Sequence, residues 1–317
     1  MRSLTPFLAA VLAAAATLGT SSVRAEEGMW LFNDFPATQV KAKYGFEPDQ
    51  KWLDHVRLSS VRLAEGCSGS IVSPEGLVMT NHHCAHSCIE QLSTAKKDFV
   101  ASGFLAKTPA EEVKCPEIEI NQLMAIADVT ERVNAATRGL ADQQYNEALK
   151  AEMSKIEKEC ATGEDRRCDV VTLYRGGQYH LYTYRRFQDV RLAFAPEFAT
   201  AFFGGDPDNF EFPRYDLDVS FLRIYEGGKP AKTPDFLPFA TSGPKDGDLV
   251  FVSGQPGGTN RLTPLAQLEV ERDVTLPRRL LFSSELKGLL TRFQTESVEK
   301  KRISNALLFH VENGIKA

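Results

Sequence analysis

Five side chains able to move a proton, hold a metal or form a sulfur bond fall within seven consecutive residues: His82, His83, Cys84, His86 and Cys88. Upstream of them lies a Gly66-Cys67-Ser68-Gly69-Ser70 block. An imidazole with an ordinary pKa near about 6.5 can take a hydroxyl proton and return it to a leaving amine at neutral pH. Imidazole and thiolate are also the ligands that zinc prefers. Against zinc stand the crowding of the candidates, with no distant second pair, and the even number of cysteines in a chain that starts like an exported one. A disulfide-bonded hairpin with surface histidines is the plain alternative. The Ser253-Gly254-Gln255-Pro256-Gly257-Gly258-Thr259 run lacks the Lys-Ser/Thr ending of a phosphate loop, and nucleotide binding is not expected.

These residues need elements to place them. The chain opens with Met1 and Arg2, an apolar Leu4–Leu18 run and a Val23-Arg24-Ala25 end, the pattern of a cleaved secretory signal over residues 1–25. That run is shorter than the roughly 20 residues of a spanning helix, and no later segment is long and apolar enough for one. The 317 residues carry a formal net charge of −5, more negative once Arg2 and Arg24 leave with the signal, which argues against a nucleic-acid partner. All six cysteines lie in the exported part and read as disulfides.

Around the cluster, short apolar runs on either side of Pro74-Glu75-Gly76 predict a β-hairpin. Residues 130–160 carry helical spacing, closed by Gly163. Strands are expected at Val170–Tyr174, Tyr179–Tyr184, Asp189–Phe194, Val219–Tyr225 and Leu249–Ser253, where β-branched and aromatic residues are bounded by Gly, Pro and Asp. From Pro264 the pattern is helical only, over Leu265–Asp273, Ser284–Phe293 and Glu296–Glu312. A domain boundary is expected near Arg261. The chain stops at Ala317 with nothing for the last helices to pack against, which hints at a truncation.

Thr80-Asn81-His82-His83-Cys84 resembles the Thr-Ala-Ala-His-Cys box of double-barrel serine peptidases. That resemblance makes His83, not His82, the general base. It implies a Cys67–Cys84 disulfide, and it leaves His82 where a small residue is usual. The wider pattern resembles the bacterial dipeptidyl-peptidase 7 and dipeptidyl-peptidase 11 family of serine exopeptidases, in the chymotrypsin clan. The resembling blocks are Glu27-Gly28-Met29-Trp30, Gly66 to Cys84, Ala195-Pro196-Glu197 and Phe203 to Tyr225.

The fold this implies is mainly β: a chymotrypsin-like barrel domain over residues 26–261 with a helical insertion near 130–160, then the beginning of a helical domain over 262–317. The family's Trp-Pro-Arg…Asp-Phe-Ser segment matches Phe212-Pro213-Arg214 and Asp218-Val219-Ser220. Asp218 is then the carboxylate that orients the base, in preference to Asp216, while Asp206 and Asp208 fit a turn. The resemblance further assigns Asn209 and Phe210 to the substrate's α-ammonium, with Asn305 as a second asparagine. Phe210 replaces the family's tryptophan and lacks its N–H donor.

The nucleophile is expected elsewhere. No Gly-Asp-Ser-Gly or Gly-Asn-Ser-Gly occurs in the 317 residues, and the family's serine comes from a second barrel after the helical domain. Ser68 and Ser70 belong to the strand before the histidines. The function implied is a serine dipeptidyl-peptidase of the periplasm or cell surface, without cofactor or metal. It would act on peptides with a free N-terminus and pair with a second copy through the helical region. A catalytically inactive peptide-binding module is the alternative.

Overall fold

The computed structural model describes residues 29–94, 96–202, 211–255 and 263–316, so the expected signal over 1–25 and the expected substrate residues Asn209 and Phe210 lie outside the described residues. The chain divides into two compact units. One holds the described residues up to Glu47 together with Ala240–Phe251. Here helix α1 (Ala37–Tyr44) ends on Gly45 at φ 70°, whose N–H returns to the Lys41 carbonyl. The Phe251 ring lies 5.9 Å from Phe35 and 5.6 Å from Phe46.

The other unit holds the described residues of Pro48–Phe239 and Val252–Ala317. Helix α2 (Gln50–Ser59) opens on Asp49, whose carboxylate accepts the Trp52 N–H. It is followed by β1 (Ser60–Leu63), β2 (Ser68–Ile71), β3 (Leu77–Thr80), α3 (His82–Leu92), α4 (Phe99–Ser102), β4 (Phe104–Leu105), β5 (Val113–Lys114) and β6 (Ile120–Asp128). Then come α5 (Thr130–Thr137), α6 (Asp142–Cys160), β7 (Arg166–Leu173), β8 (Gln178–Phe187), β9 (Asp189–Ala195), α7 (Phe198–Ala201), β10 (Ser220–Glu226) and β11 (Lys229–Pro230). Helix α8 (Leu265–Val270) runs through a π turn at Glu271–Thr275 into α9 (Leu276–Gln294), and α10 (Val298–Lys316) packs back along α9.

The strands form one antiparallel sheet in the order β4-β9-β10-β3-β2-β1-β6-β8-β7, with β11 on β10 and β5 on β9. Its end strands do not pair with each other. An antiparallel sheet with helices is therefore what the described residues form, and the closed barrel expected from the sequence is not. One end strand, β4, is two residues long and offers too short a ladder for closure.

Period-two patterning explains the sheet's inner face. Ile71 and Val78 alternate with more exposed neighbours on β2 and β3 and are fully buried. They meet Leu222 and Ile224 of β10 and, from α3, Ala85 and Ile89. Each fully buried aliphatic side chain of this kind contributes about 1.5–3 kcal/mol. A smaller cluster of Val133, Ile156, Val170 and Tyr179 seats α5 and α6 on β7 and β8.

Three expectations are revised. The helical stretch 130–160 is two helices, broken at Gly139 with φ 76°. The segments expected as helices at Leu265–Asp273 and Ser284–Phe293 join through the π turn into one continuous helical run. Leu249–Ser253 is not a strand: among the described residues no neighbouring ladder pairs with it, and Val250 and Val252 are exposed. An apolar β-branched run becomes a strand only where a partner supplies the hydrogen bonds.

Gly76 makes the β2–β3 turn at φ 68°; its N–H donates to Thr233 Oγ1 at 3.0 Å, and its carbonyl accepts the Ile224 N–H at 3.0 Å. A Cβ there would stand 2.8 Å from Ile224 Cγ1 and 2.9 Å from the Ile224 carbonyl oxygen. Gly45 shares the left-handed φ but has open space around a Cβ. Gly45→Ala should therefore cost about 1–2 kcal/mol for the backbone alone, and Gly76→Ala clearly more. Equal costs in urea unfolding would show that the close packing at Gly76 is not real.

Candidate active site

The register of β3 and β10 builds the site. Ser220 pairs with Thr80 and Phe221 with Met79, so the chain entering β10 lies against the chain leaving β3. That places Asp218 beside Asn81 and His83, 135 residues away from the latter in sequence.

His83 stands in the first turn of α3. Its Nδ1 lies 2.7 Å from Asp218 Oδ2, and its main-chain N–H donates to Asp218 Oδ1 at 3.1 Å. A carboxylate can only accept, so the ring proton belongs on Nδ1 and the lone pair on Nε2. Asn81 completes the arrangement, its Nδ2 donating to both Oδ2 and the main-chain carbonyl of Asp218 at 3.1 Å each.

A disulfide between Cys67 and Cys84, with Cα atoms 6.1 Å apart, ties this turn of α3 to the start of β2. One turn further along, Cys88 is bonded to Cys115, and Cys160 is bonded to Cys168. The ligand atoms of Cys67, Cys84 and His83 lie within 4.8 Å of one another. Both sulfurs are already spent in the S–S bond, however, and zinc binding requires thiolates. Ser68 Oγ is engaged by the Gln255 N–H at 2.7 Å.

Electrostatics follow from the contacts. The Asp218 hydrogen bond raises the His83 pKa, outweighing partial burial, with the charges of Asp218 and Asp216 assisting. Burial works to raise the Asp218 pKa, but the side-chain and main-chain bonds from His83 and the bond from Asn81 leave it lowered. Asp216 remains exposed and acts on the pair through its charge alone; desolvation and its neighbour Asp218 raise its pKa. Asn305 is half-buried on α10 and takes no part in the hydrogen bonds of His83 or Asp218.

Sequence reasoning offered His82 and His86 as candidate zinc ligands or surface histidines and missed that both are core residues. The structure buries both, at 1% and 6% exposure, among Phe198, Phe202 and Phe309. His82 does not stand in for a small side chain; it fills core volume. Their spacing of four on one helix face was the available signal. Burial, with His82 and His310 nearby, lowers the His86 pKa to about 4. Burial first, and the His83 charge, lower that of His82.

The chain matches the family model described as Peptidase S46 over residues 25–317. It is 32% identical over 302 residues to a Dipeptidyl-peptidase 7 of Porphyromonas endodontalis, covering 89% of this chain and 36% of that protein. With an Asp/Glu-specific dipeptidyl-peptidase of Shewanella putrefaciens it shares 32% identity over 282 residues, covering 84% and 38%. The crystal structure of Porphyromonas endodontalis DPP11 in complex with dipeptide Arg-Glu superposes with a TM-score of 0.73 at 24% identity, over 92% of this chain and 45% of that one. The chain thus spans less than half the length of the curated relatives and of the solved structure it is similar to.

Two predictions follow from the titrating groups. His83, with its raised pKa, stabilises the fold below the ordinary histidine value near about 6.5, and that contribution fades as pH rises through its folded value. Asp218→Asn should therefore lower the His83 pKa in an NMR titration; an unchanged value would sink the pairing. His86, with its lowered pKa, contributes stability above about 6.5 that is lost as pH falls toward about 4. His86→Phe should flatten that acid loss, by something on the order of 3 kcal/mol, in denaturant unfolding at stepped pH. Matches of this extent, to the family model and to relatives more than 30% identical, place the chain in the Peptidase S46 family.

Proposed function

We propose that this chain is the base-bearing part of a serine dipeptidyl-peptidase that removes dipeptides from the N-terminus of peptides. The observation that carries the proposal is the His83 Nδ1 to Asp218 Oδ2 contact of 2.7 Å, in a chain similar to a Dipeptidyl-peptidase 7 and an Asp/Glu-specific dipeptidyl-peptidase. His83 Nε2 takes the proton of a serine hydroxyl as it attacks the carbonyl and returns it to the departing amine. Asp218 fixes the tautomer and stabilises the imidazolium as it forms. The serine and its oxyanion hole belong to residues after Ala317, as do the groups that set preference at the cleavage site.

In this proposal the sheet corresponds to the first barrel of a chymotrypsin-like domain reaching to about residue 261, and the later helices begin a helical domain. Asn209 and Phe210, with Asn305, grip the substrate ammonium, and the helical region carries a homodimer contact. The three disulfides fit an oxidising compartment, and no described helix is long and apolar enough to cross a membrane. Export to the periplasm or cell surface is the location proposed.

The first test is the coding DNA past Ala317: an open frame reaching a Gly-Asp-Ser-Gly or Gly-Asn-Ser-Gly block is the expected result, and an authentic stop codon favours the inactive peptide-binding module. In the extended protein, His83→Ala should reduce hydrolysis of dipeptidyl chromogenic substrates by about 10⁴-fold or more. His82→Ala should cost folding stability in the main, because its ring is core. The 317 residues alone should be inert; activity abolished by Ser68→Ala or Ser70→Ala would overturn the assignment.

A further inference from the structure

Asn81 stands at the N-cap of α3, a position where an asparagine side chain ordinarily accepts an N–H from the first turn. Here it makes no such bond. Its amide is turned to Asp218 instead, where both hydrogens of Nδ2 find acceptors, Oδ2 and the main-chain oxygen, at 3.1 Å each. Since both partners can only accept, the orientation of the amide is not ambiguous. The capping task passes to Asp218, whose Oδ1 takes the His83 N–H.

The exchange has a mechanical consequence. Asp218 lies in a stretch without sheet pairing just before β10, so no ladder bond of its own holds it. Three donors on the β3–α3 connection hold it instead: the His83 ring, the His83 main chain and the Asn81 amide. Of these the ring is the group that must change protonation state in the proposed reaction. The main-chain N–H fixes Oδ1 alone. Asn81 is the contact that fixes Oδ2, the oxygen facing the ring, and also the backbone that carries it. The positive end of the 11-residue helix lies at the same place and favours the ionised carboxylate.

We infer that Asn81 is a positioning residue of the proposed dyad, a clamp that holds the Asp218 carboxylate and main chain against His83 in place of capping its own helix. The inference rests on the proposed function for its catalytic meaning, and on geometry alone for the clamp. Asn81 makes no contact with the reacting atoms and acts through Asp218.

The clamp and the catalysis can be tested apart. The ionisation of Asp218 is read by ¹³C carboxyl NMR titration in the 317-residue chain, in Asn81→Ala and in Asn81→Ser, which keeps a good helix cap should the alanine variant fold poorly. Asp216, His82 and His83 are the titrating neighbours, and their signals are followed in the same spectra. A donor to a carboxylate favours its ionised form, so both variants should show the Asp218 pKa raised. In the extended protein both should lower kcat about tenfold with KM within about twofold, while a simple stability defect would lower the melting temperature without moving the Asp218 titration. An Asp218 pKa unchanged in both variants overturns the clamp. A raised pKa with unaltered kcat overturns its positioning role. Retention of full turnover by His83→Ala would strike the proposed function and leave the clamp standing.

Discussion

The antiparallel register between β3 and β10 is the constraint on which the site depends. Pairing Ser220 with Thr80 makes the exit of one strand and the entrance of the other neighbours, and everything chemical is attached to those two ends. A slip of one residue would turn the inward set of Val78 and Leu222 outward. Because both are fully buried, the hydrophobic core itself enforces the register. The site's geometry is thus secured by apolar contacts made away from it, at positions where polar residues would be costly.

Two further restraints act on the end of β3. The Cys67–Cys84 bond fixes the first turn of α3 to the start of the hairpin's first strand, and Cys88–Cys115 fixes the next turn. Beneath the helix, His82 and His86 pack on Phe198 as uncharged core rings, with His82 Nε2 and His86 Nδ1 lacking hydrogen-bond partners among the described residues. Three histidines close in sequence therefore hold two opposite states. The one beside a carboxylate and open to water favours its proton, and the two enclosed by phenyl rings resist it. Environment, not residue type, separates them.

Much of this was legible before the structure. The histidine, the aspartate and the hairpin follow from residue types and from resemblance to a family. The β7 to β10 strands announce themselves by β-branched and aromatic runs. What the sequence could not yield was tertiary. Leu249–Ser253 has the composition of a strand and no pairing strand among the described residues. The sheet stays open because of how its end strands fall, which no local pattern records. His82 reads as a misplaced residue until Phe198, 116 positions away on another element, is seen against it. Asn81 illustrates the limit most clearly: by every local rule it is a helix cap, and the carboxylate that displaces it from that role arrives from 137 residues further along the chain.

His83 and Asp218, which draw their mutual contacts from the first turn of α3 and the stretch entering β10, do not need a third group to assemble. The Asp218 oxygens are satisfied by His83 and Asn81, the Nδ1 proton is committed, and Nε2 is left as the basic atom without a hydrogen bond among the described residues. For the proposed peptidase this means that the base is oriented before any serine approaches, so the cost of ordering it falls on folding and not on the chemical step. In the proposed peptidase the same arrangement would let the base reside in one segment and the nucleophile in another. Each has only to be rigid on its own, and their meeting then fixes one distance instead of a whole network.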